Sequence, residues 1–239
     1  MKFIKYLSLL LLTLAICSCK AENKIETVAK QVSEEIMEQY EPLEGVMTLV
    51  ADAKTGDILA CVDLGGTGNN RPETYIYEPG YLFDIFRESA IMFLPESVRN
   101  SDKSFLFMMN QFGFTEYPMM TAKQIVKAAT VFANHGILGD NEMEVVSPKV
   151  ADAMMLMMEK AAQPDGNARQ HGVKDCRVAI VSGDDKFVAS ALAIFPVEDP
   201  KYIVYNVILH PSKGGITTGT GICVPAVGKI INGIISVKF

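Results

Sequence analysis

The sequence has little that could hold a metal. It carries three histidines and five cysteines among 239 residues, and none of them falls at a zinc-ligand spacing. A cationic excess is also missing. Lys+Arg number 22 against 28 Asp+Glu, a net charge of −6. That balance argues against a nucleic-acid partner, which is bound through basic patches that displace counterions. There is no internal repeat and no low-complexity segment. The charged fraction of 21% is too low, and the apolar fraction of 49% too high, for a disordered chain. What is present is enough apolar material for one domain with a sizeable core.

The start of the chain is set apart from the fold. Lys2 and Lys5 precede an apolar run over residues 7–16, too short to span a bilayer comfortably. The run ends in Ile16-Cys17-Ser18-Cys19, which resembles a lipobox. The resemblance implies a signal peptide over residues 1–18 and a diacylglycerol on Cys19. The alternative is a plain secretory signal cleaved nearby. Cleavage after Ser18 removes Lys2 and Lys5 and no acid, so the mature chain is more acidic still. Export makes disulfides chemically possible. The remaining cysteines, Cys61, Cys176 and Cys223, are odd in number, and no disulfide is expected. Cys61 lies in an apolar strand-like run and is expected to be buried.

Residues 23–40 show an amphipathic helical pattern, with Ile25, Val28, Val32, Ile36 and Tyr40 three or four apart. This helix is expected to pack on the core; a spacer from the membrane is the alternative. Strands are expected over 45–51 and 57–63, joined by Ala53-Lys54-Thr55-Gly56. A glycine-rich loop over 65–70 follows, then a helix from about residue 81 to 92. Further helices are expected over 104–112, over 121–134 with Thr121 as N-cap, and from Ser147-Pro148 onward. The last carries Met154, Met155, Met157 and Met158. Helical spacing without further ligands makes these core residues rather than a metal site. Strands over 177–181 and 186–194, with a turn at Gly183-Asp184-Asp185, precede a strand over 202–209 and a final helix over 225–235. Strands split around a helical insert indicate an α+β fold.

In this order the motifs resemble the transpeptidase domain of penicillin-binding proteins, the serine acyl-enzyme fold shared with class A β-lactamases. Residues 50–60, Val-Ala-Asp-Ala-Lys-Thr-Gly-Asp-Ile-Leu-Ala, resemble the family's opening hairpin. Asn70-Arg71 and Tyr77-Glu78-Pro79-Gly80 resemble the approach to its nucleophile helix. Phe112-Gly113-Phe114, Thr121, Gln124 and Ala133-Asn134-His135-Gly136 resemble its helical lobe. Ala189-Ser190, Phe195-Pro196, Asp199-Pro200-Lys201-Tyr202 and Pro225 resemble its last strands and closing helix. The resemblance implies a five-stranded antiparallel sheet flanked by N- and C-terminal helices, with a helical lobe inserted after strand 2. It implies a tether and first helix over 19–43 and the transpeptidase-like domain over 44–239.

The departures from that pattern bear on function. In the family, Tyr-Glu-Pro-Gly leads into Ser-x-x-Lys, in which the lysine helps to take the serine proton. Here the two positions are Tyr81 and Asp84. The family's Ser-x-Asn is best matched by Ser101-Asp102-Lys103. Its Lys-Thr-Gly is matched by Val181, Ser182 and Gly183. The literal Lys54-Thr55-Gly56 stands before the nucleophile helix, in the wrong chain order, and is explained by a turn. Gly214 to Gly221 lacks the Gly-Lys-Ser/Thr ending of a phosphate loop and is expected to be a connection. His135 and His210 have no Asp or Ser partner at a recognisable spacing and are expected to be structural.

A catalytically altered, lipid-anchored envelope protein is therefore expected, with a non-enzymatic binding or regulatory role. Its expected partners are the membrane and another penicillin-binding protein, envelope protein or peptidoglycan, with outer-membrane retention. No cofactor, metal or nucleic acid is expected. Two alternatives stay open. One is a rebuilt acyl-transfer site using Tyr81 and Asp84. The other is a β-lactam or muropeptide binder that forms no covalent bond.

Overall fold

A computed structural model describes residues 24–68, 70–139, 143–210 and 218–238. The expected signal peptide and Cys19 lie outside the described residues, as does the first half of the glycine-rich stretch Gly214 to Gly221. Helix α1 (24–40) buries Ile25, Ala29, Val32 and Ile36, one stripe at helical spacing, while its Glu and Lys side chains face outward. It is a packed element of the core and not a free spacer.

Five strands form one antiparallel sheet: β1 (Gly45–Asp52), β2 (Ile58–Leu64), β3 (Ala179–Asp185), β4 (Val188–Phe195) and β5 (Tyr202–Leu209). Their order is β2-β1-β5-β4-β3. Gly45 pairs with Leu209 and Asp52 with Tyr202, which fixes the register of the two central strands. Strands β4 and β5 carry almost no polar residues because both of their faces are covered. One face packs against α1 and α7 (Val224–Lys238); the other packs against the helical lobe.

The Lys54-Thr55-Gly56 segment is a turn. The Asp52 carboxylate accepts the backbone N–H groups of Lys54 and Thr55 at 2.8 and 2.9 Å, and Gly56 takes φ 76°. Lys127 and Asn134 donate to the Thr55 and Lys54 carbonyls and fasten the turn to the lobe.

The expected turn at Gly183-Asp184-Asp185 is wrong by two residues. Asp185 pairs with Val188, so Lys186 and Phe187 make the turn and Gly183 to Asp185 remain in β3. The Gly-Asp-Asp run reads as a turn by composition. Strand pairing overrides it, and the Phe187 ring stacks on His210 at 4.6 Å.

After β2 the lobe comprises α2 (Arg71–Thr74), α3 (Asp84–Phe93), α4 (Asp102–Gln111), α5 (Ala122–Ala133) and α6 (Pro148–Ala162). Thr121 and Gln124 close a capping box at the start of α5. The ring of Phe86 meets Phe83, Phe112, Phe114 and Phe132 at centroid distances between 5.0 and 5.9 Å. Met154, Met155 and Met158 are buried in this core, and Met157 on the same helix is exposed.

Cys61 corrects the expectation of burial. It is exposed on β2, an edge strand, whereas Cys223 is fully buried. An apolar run marks a strand, but it does not say which face of an edge strand is covered.

Candidate active site

The approach to α3 is held from several sides. Arg71 is 3% exposed. Its guanidinium pairs with the Asp63 carboxylate and donates to the Glu44 and Leu64 carbonyls. Gly66 leaves the room this group needs, since a Cβ there would lie 2.1 Å from Arg71 Nη1. Tyr77 exchanges both backbone hydrogen bonds with Met120 at 3.0 Å. Its hydroxyl meets that of Tyr205 at 2.8 Å in the core. Burial pushes both phenols above the ordinary tyrosine range.

Gly80 then turns the chain at φ 60° in close contact with Asp184. Residues Gly80–Phe83 form a tight 3-10 turn, and the α-helix starts only at Asp84. The expected helix start at residue 81 is thus a 3-10 turn. Leu82 and Phe83 point inward. The Tyr81 side chain points out, 73% exposed. Asp84 occupies the first helical position, where the dipole favours an anion. Its carboxylate pairs with Arg87 at 3.0 Å.

Strand β3 lies against this turn. A Cβ on Gly183 would fall 2.1 Å from the Leu82 backbone nitrogen, so only glycine permits the approach. Val181 and Ser182 are half-buried. Ser182 Oγ meets Thr220 Oγ1 at 2.9 Å, and the Asp184 carboxylate accepts the N–H of Gly219. The structure therefore brings together Tyr81, Asp84, Val181, Ser182 and Gly183, from two elements about a hundred residues apart in the chain.

Ser101 and Lys103 are placed differently. The Ser101 hydroxyl caps α4 by accepting the N–H of Ser104, and Lys103 is exposed on that helix. No hydrogen bond or ion pair among the described residues joins the Tyr81 hydroxyl to Asp84, Ser101, Lys103 or Ser182. Acyl transfer needs a nucleophile in contact with a base. Here Asp84 is engaged by an arginine, Asp184 accepts the Gly219 N–H, and Ser182 faces another hydroxyl.

Solved structures with this arrangement of elements include the transpeptidase domain of the FtsI4 D,D-transpeptidase from Legionella pneumophila. It has a TM-score of 0.74 and 17% identity, over 89% of this chain and 96% of that one. The TP domain of penicillin-binding protein 3 from Burkholderia pseudomallei also gives 0.74 and 17%, over 90% and 94%. The fold is that of a penicillin-binding-protein transpeptidase domain. A peptidoglycan glycosyltransferase from Burkholderia ambifaria gives 0.70 and 17%, over 87% and 93%. No protein-family model and no curated protein matches the chain.

In the transpeptidase fold of this chain, Asp184 and Thr220 are site members that the sequence did not announce. They reach the site through contacts spanning 35 and 38 residues, a separation with no local signature. Two histidines have carboxylate neighbours. His135 Nδ1 lies 2.7 Å from Asp152, and His210 lies 3.5 Å from Glu44. Both carboxylates are too far off in sequence to be recognised. The His135–Asp152 pair is exposed on the lobe.

Proposed function

We propose that this chain is a transpeptidase-fold lipoprotein of the bacterial cell envelope that has lost acyl transfer and acts by binding, in a regulatory role linked to peptidoglycan synthesis. One observation carries the reading. Where the fold's family has serine and lysine, this chain has an outward-facing tyrosine and an aspartate tied to Arg87. The neighbouring strand offers Val181 where the family has a cation. An anionic acyl donor would meet a carboxylate and no positive charge on that strand. A lipid on Cys19 and outer-membrane retention belong to the same proposal. The lipid rests on Ile16-Cys17-Ser18-Cys19, and the retention on Lys20-Ala21-Glu22 after it.

The test is intact-protein mass spectrometry after incubation with a reactive penicillin, followed by peptide mapping. The expected result is no added mass at high ligand. A stoichiometric adduct on Tyr81 or Ser182 overturns the reading in favour of a rebuilt covalent site. So does turnover of an ester donor that is lost in Tyr81→Phe.

A further inference from the structure

The sheet is open along β2, which stands at one edge with β1 as its strand neighbour. In an antiparallel strand the backbone N–H and C=O of one residue face one neighbour, and those of the next residue face the other. The Ala53 N–H donates to Lys201, on the β5 side, and the Asp52 N–H to the Asp57 carbonyl, on the β2 side. Even-numbered residues of β1 therefore face β2. Thr48 stands opposite Val62, and Val50 opposite Ala60. Ala60 and Val62 thus bond inward, while Cys61 and Asp63 aim their backbone groups away from the sheet. Among the described residues, nothing bonds to those outward groups.

Edge strands are usually blunted by proline, lysine, a bulge or a covering element. Strand β2 reads Ile-Leu-Ala-Cys-Val-Asp-Leu, without proline or lysine. A bulge interrupts the ladder only at its start and leaves Ala60 to Leu64 regular. Cys61, in the middle of the strand, is exposed. It stands opposite Leu49 of the lobe-side core, so its side chain lies on the lobe face; Ala60 and Val62 lie on the α1 face. The surroundings are acidic. The partly covered Cys61 thiol is pushed above the ordinary cysteine range, first by burial and then by the carboxylates of Asp63, Glu73 and Glu26, with Lys123 opposing them. Arg71 answers Asp63, and Lys123 answers Glu73. Glu26, on α1, has no ion-pair partner among the described residues.

We propose that the β2 edge takes an extended segment of a partner protein as a sixth antiparallel strand, and that this segment alternates cationic with apolar residues. Partner residues opposite Cys61 and Asp63 exchange both backbone bonds with them. Their side chains then fall on the lobe face, beside Asp63 and Glu73, where lysine or arginine fits. The residues between them fall on the α1 face and extend the apolar row of Ala60 and Val62. Main-chain bonds supply the affinity and the alternating side chains the selectivity. A second copy of this chain fits less well, because two-fold pairing of this stretch crowds the Asp63, Glu73 and Glu26 carboxylates of both copies around one axis. Strands β1, β5 and β4 separate this edge from β3, so the inference does not depend on how the candidate site is read.

The probe is a fluorescent, end-blocked peptide of alternating lysine and valine, matched to β2 in length, titrated onto the full chain and followed by anisotropy. Saturable binding is expected. It should weaken by about tenfold or more for a glutamate–valine peptide, and equally for the lysine–valine peptide N-methylated at its lysine amides, which keeps the charges but cannot donate to the edge. Cys61→Pro removes an outward N–H and leaves the β1 ladder intact, so it should weaken binding to the same degree, while Cys61→Ser keeps it. In the native chain the peptide should slow maleimide labelling of Cys61 several-fold and leave Cys176 at its rate. Equal binding of the lysine and glutamate peptides, undiminished binding of the N-methylated peptide, or no saturation at millimolar peptide overturns the proposal. So does a dimer, seen by sedimentation without peptide, that Cys61→Pro dissolves, since the edge would then serve a second copy. Should Cys61→Pro prove unfolded in urea titration, the N-methylated peptide decides, because it leaves the protein untouched.

Discussion

At the scale of single residues, the polar groups deepest in the molecule and those at the candidate site behave oppositely. Tyr77 and Tyr205 share a hydrogen bond inside the core, and burial holds both phenols neutral. A raised phenol pKa contributes stability that is present below the unfolded value near pH 10 and lost as pH rises above it. Two such groups steepen the loss to about 3 kcal/mol per pH unit at most. Urea unfolding at pH 9 and pH 11 should show that drop. Replacing both tyrosines with phenylalanine should flatten it and lower stability at pH 8, where a buried hydroxyl pair is lost. Absorbance at 295 nm should find these two among the last tyrosines to ionise. Tyr81 and Asp84 are surface groups by comparison. The pair Tyr81→Phe with Asp84→Asn removes one exposed ion pair and should shift stability by less than about 0.5 kcal/mol. Arg71 is the contrasting case. Arg71→Met leaves the Asp63 carboxylate and two carbonyls without their donor, and should cost about 3 kcal/mol in the same urea assay.

At the scale of elements, the contacts that shape the site are glycines under pressure from backbone. Gly183→Ala drives a methyl into the Leu82 backbone, which cannot rotate away. We expect a loss of about 2–3 kcal/mol and, by amide exchange, faster opening of the Gly80–Phe83 turn together with β3. Gly228→Ala, in the middle of α7, sets two effects against each other. Alanine improves helix propensity by about 1 kcal/mol. Its Cβ would stand 1.6 Å from the His171 carbonyl oxygen, and that overlap exceeds the gain, so net destabilisation is expected. The elements themselves were largely legible. The α1 stripe, the hairpin around Asp52 and the Thr121 capping box each depend on residues within a few positions of one another. The β3–β4 turn was misplaced because Gly-Asp-Asp has turn composition, while pairing of Asp185 with Val188 is a property of the sheet. Asp184 and Thr220 were invisible for the same reason.

At the scale of the whole molecule, one sheet divides two cores, and the central strands β1, β5 and β4 are buried on both sides. They should show the slowest amide exchange in the molecule, with β2 and the segment from Gly166 to Arg177 exchanging faster. Element order indicated the α+β class, and the resemblance carried by the motifs implied the five strands with their inserted lobe and the expectation that Tyr81, Asp84, Val181 and Ser182 stand at the family's motif positions. Those features are local, or repeat at helical and strand periods, so a linear reading reaches them. The tertiary structure alone decided that Asp84 is held by Arg87, that Tyr81 faces solvent and that Cys61 is exposed. Each of these depends on which surfaces meet after the chain has packed, and packing joins residues that the sequence keeps far apart.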